Sequence, residues 1–149
     1  MARSKGKVDS INRVKRRFKR EQRRYNNILA DGNWQTVHMS VSAWENDEIT
    51  HFGGDNFRDA SDYRIEFDAL KNGHLAATRT GLGRDGVTYI RDYVGTVDPW
   101  ARDFVLTGDS GGMIFGSLTP DEDALTLRLV GQGQWDDRVV ATIHMVDVS

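Results

Sequence analysis

The chain contains no cysteine, which removes a disulfide framework, a thiol nucleophile and a thiolate metal site together. With 149 residues it is the size of one domain, and that domain must stand on its packed core alone. No apolar run approaches the roughly 18 to 20 residues needed to span a bilayer, and the N-terminus carries charge with no apolar stretch behind it. A cytoplasmic protein is the expectation. His38, His51, His74 and His144 lack any short paired spacing, so no metal site is expected. Gly81-Leu82-Gly83-Arg84-Asp85-Gly86 has a Gly-Xaa-Gly-Xaa-Xaa-Gly spacing, but no helical pattern follows it to meet a pyrophosphate. No dinucleotide, and no other cofactor, is expected.

The formal net charge of -2 conceals a division. Residues 1–25 carry eleven Lys or Arg against Asp9 and Glu21, a balance of +9, while the remainder of the chain stands at -11. Within the basic part Ile11, Val14, Phe18, Tyr25 and Ile28 recur at three, four and seven, the spacing of one helix face. A helix is therefore predicted from Asp9 to Ala30, with Asp9 or Ser10 as N-cap and Gly32 as the stop. Glu21 interrupts the stripe, which argues against a long autonomous coiled coil. Residues 1–31 read as a basic helical arm. Counterion release alone would require no apolar stripe, so this face is expected to pack on protein, leaving Arg13, Lys15, Arg16, Arg20 and Arg23 for solvent or a polyanion such as RNA or the ribosome. The alternative is that the arm docks on the acidic body or on a neighbouring subunit of a homo-oligomer.

After Gly32 the apolar period changes to two. Tyr63, Ile65 and Phe67 alternate with charged residues, and Leu125, Leu127, Leu129 and later Val139, Ala141, Ile143, Met145 repeat the pattern. Further strands are predicted over 34–43, 48–52, 74–80, 87–94, 103–107 and 113–118. The segments between them, such as Lys71-Asn72-Gly73 and Pro120-Asp121-Glu122-Asp123, carry turn residues and are too short for crossover helices. The prediction for 32–149 is a mainly β, antiparallel meander. It closes into a single barrel or folds into a sandwich, and closure removes the exposed edges.

Gly32-Asn33-Trp34 at the opening of the first strand, followed by a run of hairpins, resembles the calycin-type barrels. In lipocalins a Trp at this point closes the barrel floor and the interior holds an apolar small molecule; the pattern also resembles the small barrel cyclases of bacterial natural-product pathways, some with an N-terminal helix as a lid. The resemblance covers about 32–148 and is architectural. It implies a barrel that binds an apolar or amphipathic molecule and, by the second likeness, cyclises or isomerises it.

Gly108-Asp109-Ser110-Gly111-Gly112 resembles the nucleophile segment of trypsin-like serine proteases. A triad also needs a base and an orienting carboxylate, and no histidine lies in that family's context, while His144 follows the serine. The same residues suit a hairpin turn between two apolar runs, which is the expectation here. The ligand-site candidates are two arginines in the apolar phase of their strands: Arg79 follows Leu75 and Ala77, and Arg91 lies between Tyr89 and Tyr93. A buried guanidinium must be paired, by protein or ligand. The functional reading is a fork for a carboxylate or enolate, with Trp44, Phe67, Tyr89 and Tyr93 as walls and Arg91, Tyr89 and Tyr93 as candidate catalytic groups. An odd hairpin loop would place both arginines on one face, and an even one on opposite faces.

Overall fold

The computed structural model describes residues 5–45, 48–54, 63–82, 87–132 and 138–149. Helix α1 (Lys5–Asp31) precedes strands β1 (Trp34–Glu45), β2 (Glu48–Gly54), β3 (Tyr63–Ala69), β4 (His74–Leu82), β5 (Thr88–Asp98), β6 (Asp103–Gly108), β7 (Met113–Leu118), β8 (Ala124–Gln132) and β9 (Arg138–Asp147). Each strand pairs antiparallel with its sequence neighbour from β3 to β9, and β9 returns to β1 through a long ladder from Trp34↔Asp147 to Trp44↔Arg138. The other side of β1 is shared by β2, from Met39↔Gly54 to Glu45↔Glu48, and by β3 at Gln35↔Arg64. The ring therefore has eight strand positions, one of them occupied by β2 and β3 in succession. An uninterrupted ladder would reach the partner of Gln35 six residues sooner, so the excess chain lies between β2 and β3. This is the antiparallel meander expected from the period-two pattern, closed into an up-and-down barrel rather than sandwiched, as the resemblance to calycin-type barrels implied.

The interior-facing residues form layers. Leu75, Leu106, Ile114, Leu125, Leu127 and Phe104 have almost no exposure, and burying each such side chain contributes about 1.5–3 kcal/mol. Three aromatic rings in this interior face a glycine directly across a ladder: Tyr89 opposite Gly81, Tyr93 opposite Gly108, Phe104 opposite Gly116. A Cβ at any of these glycines would meet the facing ring, with a nearest approach of 2.5 Å to Tyr89 and 2.8 Å to Tyr93. The missing side chain is what allows each ring to lie flat over the neighbouring strand.

Helix α1 crosses the barrel end formed by the start of β1, the β3–β4 turn and the β5–β6 turn. Its packed face is Tyr25, Asn26 and Leu29, with Leu29 1% exposed. Gln22 Nε2 donates to the Val97 carbonyl at 3.0 Å, and Asn26 Nδ2 lies 3.2 and 3.4 Å from the Gly73 and His74 carbonyls. Two side-chain amides thus satisfy backbone groups that a purely apolar helix face would leave buried and unpaired. The Trp34 indole folds back over Gly32, and its Nε1–H donates to the Leu29 carbonyl at 2.9 Å. The Gly-Xaa-Trp segment is in this chain a helix C-terminal cap: the glycine makes room for the ring, and the ring supplies a donor to a carbonyl with no intrahelical partner.

Three expectations for the helix are corrected. It is already formed at Lys5, so Asp9 and Ser10 are interior residues, and the Ser10 hydroxyl donates to the Gly6 carbonyl at 2.9 Å instead of capping. Only part of the predicted stripe packs on protein: Tyr25 is buried and Ile28 half-buried, but Ile11 and Val14 are 37% and 53% exposed. Contact with the barrel side begins at Phe18, whose ring meets Trp100 edge-on at 5.0 Å. A 27-residue helix is about 40 Å long, longer than the barrel end it crosses, and periodicity in a sequence carries no information about where the partner surface stops. Finally, Leu29 belongs to the packed face although the predicted stripe omits it. No described helix is long and apolar enough to cross a membrane.

Candidate functional site

Strands β4 and β5 pair with Arg79 directly opposite Arg91, Gly81 opposite Tyr89 and Ala77 opposite Tyr93. The ladder ends at Leu82↔Thr88, so the loop is odd and both arginines share the interior face. Their layer sits between the apolar layer of Leu75 and Leu106 and the β4–β5 hairpin. Arg79 Nη1 donates to the Tyr89 hydroxyl at 2.7 Å and its Nε to the Tyr93 hydroxyl at 3.3 Å. The Tyr89 ring is flanked by both guanidiniums, with Arg79 Cζ 5.0 Å and Arg91 Cζ 5.5 Å from its centroid. Arg91 Nη1 also donates to the Ile90 carbonyl at 3.1 Å. Among the described residues no carboxylate pairs with either arginine.

Burial works against the Arg79 cation, but the Tyr89 and Tyr93 oxygens more than offset it and hold its pKa above the ordinary value. The group is a permanent cation whose hydrogen-bonding partners are the Tyr89 and Tyr93 hydroxyls. Such a cluster presents donors and positive charge to an anion, and aromatic faces to an apolar body.

Of the other wall residues, Phe67 lies one layer deeper, opposite Ala77, where its ring meets Phe104 edge-on at 5.4 Å as part of the filled core. Trp44 belongs to β1, opposite Ile49 and Arg138, and its side chain lies outside the described residues. Tyr63, not singled out in the sequence, shares the cross-strand row of Gly81 and Tyr89. The available signal was its phase with Ile65 and Phe67.

Ser110 lies exposed in the β6–β7 turn, where Gly108 N–H donates to the Gly112 carbonyl at 2.7 Å and Gly111 has φ +86°. His144 stands on the outer wall against Thr126, and its ring centroid is 5.9 Å from that of His38; no described histidine bonds Ser110, and the side chain of His51 lies outside the described residues. Ser110→Ala is expected to leave any activity intact and to change stability by less than about 0.5 kcal/mol. A loss of activity of three orders of magnitude in a folded variant would reinstate a nucleophile there.

Arg13, Arg16, Arg20 and Arg23 are exposed on α1, on the side away from the barrel, whereas Lys15 stands three residues before Phe18 and seven before Gln22, nearer the packed side. Arg24 is engaged: its Nη2 lies 2.7 Å from a Glu122 carboxylate oxygen, and that hydrogen bond raises its pKa.

No protein-family model matches the sequence, and no curated protein matches it. Among solved structures the chain is similar to aphrodisin, a sex pheromone of the female hamster, at 12% identity with a TM-score of 0.45, over 79% of this chain and 74% of that one. The barrel assignment stands on the strand order and on the β1–β9 closure described above.

Proposed function

We propose that the protein binds an amphipathic small molecule whose carboxylate or enolate is held by Arg79 and Arg91. The observation that carries this reading is the placement of two guanidiniums on one interior face, around Tyr89, with no carboxylate partner among the described residues. A second cation so close is unfavourable unless an anion joins it, and nothing in the packing of an ordinary barrel core calls for the pair. The apolar layers below are filled by side chains, so ligand space is confined to the arginine layer and the barrel end above it. A fully hollow barrel is not part of the proposal.

The catalytic extension is cyclisation or isomerisation of the bound molecule. In it the guanidiniums stabilise negative charge as it develops on an enolate oxygen, and the Tyr89 or Tyr93 hydroxyl exchanges the proton.

A dansyl-labelled eleven-carbon fatty acid and its methyl ester provide the test. The acid is expected to bind at least about tenfold more tightly than the ester, a difference of about 1.4 kcal/mol. Arg79→Met and Arg91→Met should each reduce that preference with little change in melting temperature. Equal affinity for acid and ester in the unaltered protein, or variants that keep the preference, would overturn the anion fork.

A further inference from the structure

We infer that the face of α1 turned away from the barrel is a binding surface for the phosphodiester backbone of a nucleic-acid duplex. Arg13, Arg16, Arg20 and Arg23 follow one another at intervals of three and four, and so do Arg13, Arg17, Arg20 and Arg24, which places all six along one side of a helix over about 16 Å. Phe18, Gln22, Tyr25 and Leu29 mark the opposite side, held by the barrel. All six arginines are exposed. Among the described residues Arg24 alone of the six is tied up in ion pairs, with Glu122 and Glu21; Arg16, Arg17, Arg20 and Arg23 have no carboxylate partner there, and Arg13 contacts the Ser10 hydroxyl.

Residue type and shape both point to phosphate. Between residues 13 and 24 the stripe is entirely arginine, with Lys15 and Lys19 on other sides, and the guanidinium fork matches phosphate oxygens bidentately where an ammonium cannot. Every described residue from 6 to 17 is exposed, so this half of the helix stands clear of the barrel all round. A helix with its side chains is about 10–12 Å across, close to the width of a B-form major groove, about 12 Å. Towards the C-terminal half the stripe runs to the edge of a groove of about 610 Å³ lined by Arg20, Arg23 and Arg24 and also by the acidic Asp31 and Asp147, so the phosphate surface ends there.

The observations favour a nucleic acid over an anionic membrane. An interfacial helix needs large apolar residues such as Trp, Phe or Leu on the face opposite its cations to enter the acyl boundary. Here Phe18, Tyr25 and Leu29 are taken up by the barrel, and the free half offers only Val8, Ile11 and Val14 as apolar groups. Like-charge repulsion among the arginines also makes the free half marginal without a counter-charge.

The test uses the full chain with fluorescein-labelled 20-base-pair DNA and RNA duplexes of random sequence, titrated by anisotropy at several salt concentrations. If Arg13, Arg16, Arg17, Arg20 and Arg23 each neutralise one phosphate, the slope of log K against log salt on DNA is about -4.5, and affinity falls about 500-fold between about 50 and 200 mM salt. Replacing Arg13, Arg16, Arg20 and Arg23 with glutamine should reduce the slope to about -0.9, equally across duplex sequences. The corresponding four-lysine variant, which keeps the charge, should retain the slope with weaker binding. Circular dichroism verifies that each variant keeps its helix and sheet. Absence of duplex binding at low salt, a slope unchanged by the glutamine variant, or tight binding to phosphatidylserine vesicles without duplex binding would each overturn the inference.

Discussion

Gly95→Ala is expected to destabilise the protein by about 3 kcal/mol, at the upper end of what one added methyl group does in a packed structure. Gly95 pairs with Leu75 on one side and Leu106 on the other. A Cβ there would collide with the Val105 carbonyl oxygen and come within 2.9 Å of Leu106 Cα. Both obstacles are backbone, so no side chain can rotate away; relief requires β5 and β6 to separate where the ladder is buried. The glycine marks a place where the backbone of β6 approaches the eleven-residue β5 unusually closely. Gly112→Ala is the matched comparison, since its nearest obstacle, the Val130 carbonyl, lies at an ordinary 3.5 Å. Urea unfolding should give a midpoint for Gly95→Ala far below that of Gly112→Ala with similar slopes. Equal midpoints would mean that the β5–β6 contact is looser than described.

The second large effect separates the two halves of the helix. Removing residues 1–17 should leave the melting temperature within about 2 °C, because the described part of that segment is exposed. Removing residues 1–31 should lower it by more than about 10 °C. The longer deletion takes away Tyr25 and Leu29, each contributing about 1.5–3 kcal/mol of burial, and strips the Gly73, His74 and Val97 carbonyls of their Asn26 and Gln22 donors. The Trp34 N–H loses its acceptor as well. Differential scanning fluorimetry of the two truncations reads the contrast directly. A large loss from the short deletion would show that the exposed half has a protein partner in solution.

That contrast also explains what could be read in the sequence and what could not. The strands were legible because a one-sided barrel wall imposes period two on every segment, and the predicted β3, β7, β8 and β9 lie close to the observed ones. Turn residues such as Asn72 and Gly73, both with positive φ, located the hairpins for the same local reason. The interior orientation of Arg79 and Arg91 was not legible, since it depends on whether the β4–β5 loop is odd, and one residue of slip reverses it. The pairing of Tyr89 with Gly81, Tyr93 with Gly108 and Phe104 with Gly116 was equally hidden, because glycine's role there is set by a neighbouring strand and not by its own turn. The helix presented the complementary problem. Its apolar face was visible from spacing, but the docking chemistry lies in Gln22 and Asn26, polar residues that a hydrophobic pattern passes over.

The two guanidiniums around Tyr89 also have a consequence for thermodynamic linkage. The fold brings Arg79 and Arg91 opposite one another, and the expanded chain does not. An anion that both guanidiniums hold is therefore held only in the folded state, so folding and anion uptake are coupled equilibria. The stabilisation grows as RT ln(1 + [L]/Kd), about 2.7 kcal/mol at a hundredfold excess over Kd. Thermal shift across a panel of carboxylates would therefore rank candidate ligands by the protein's own folding equilibrium, with no assay for a reaction required.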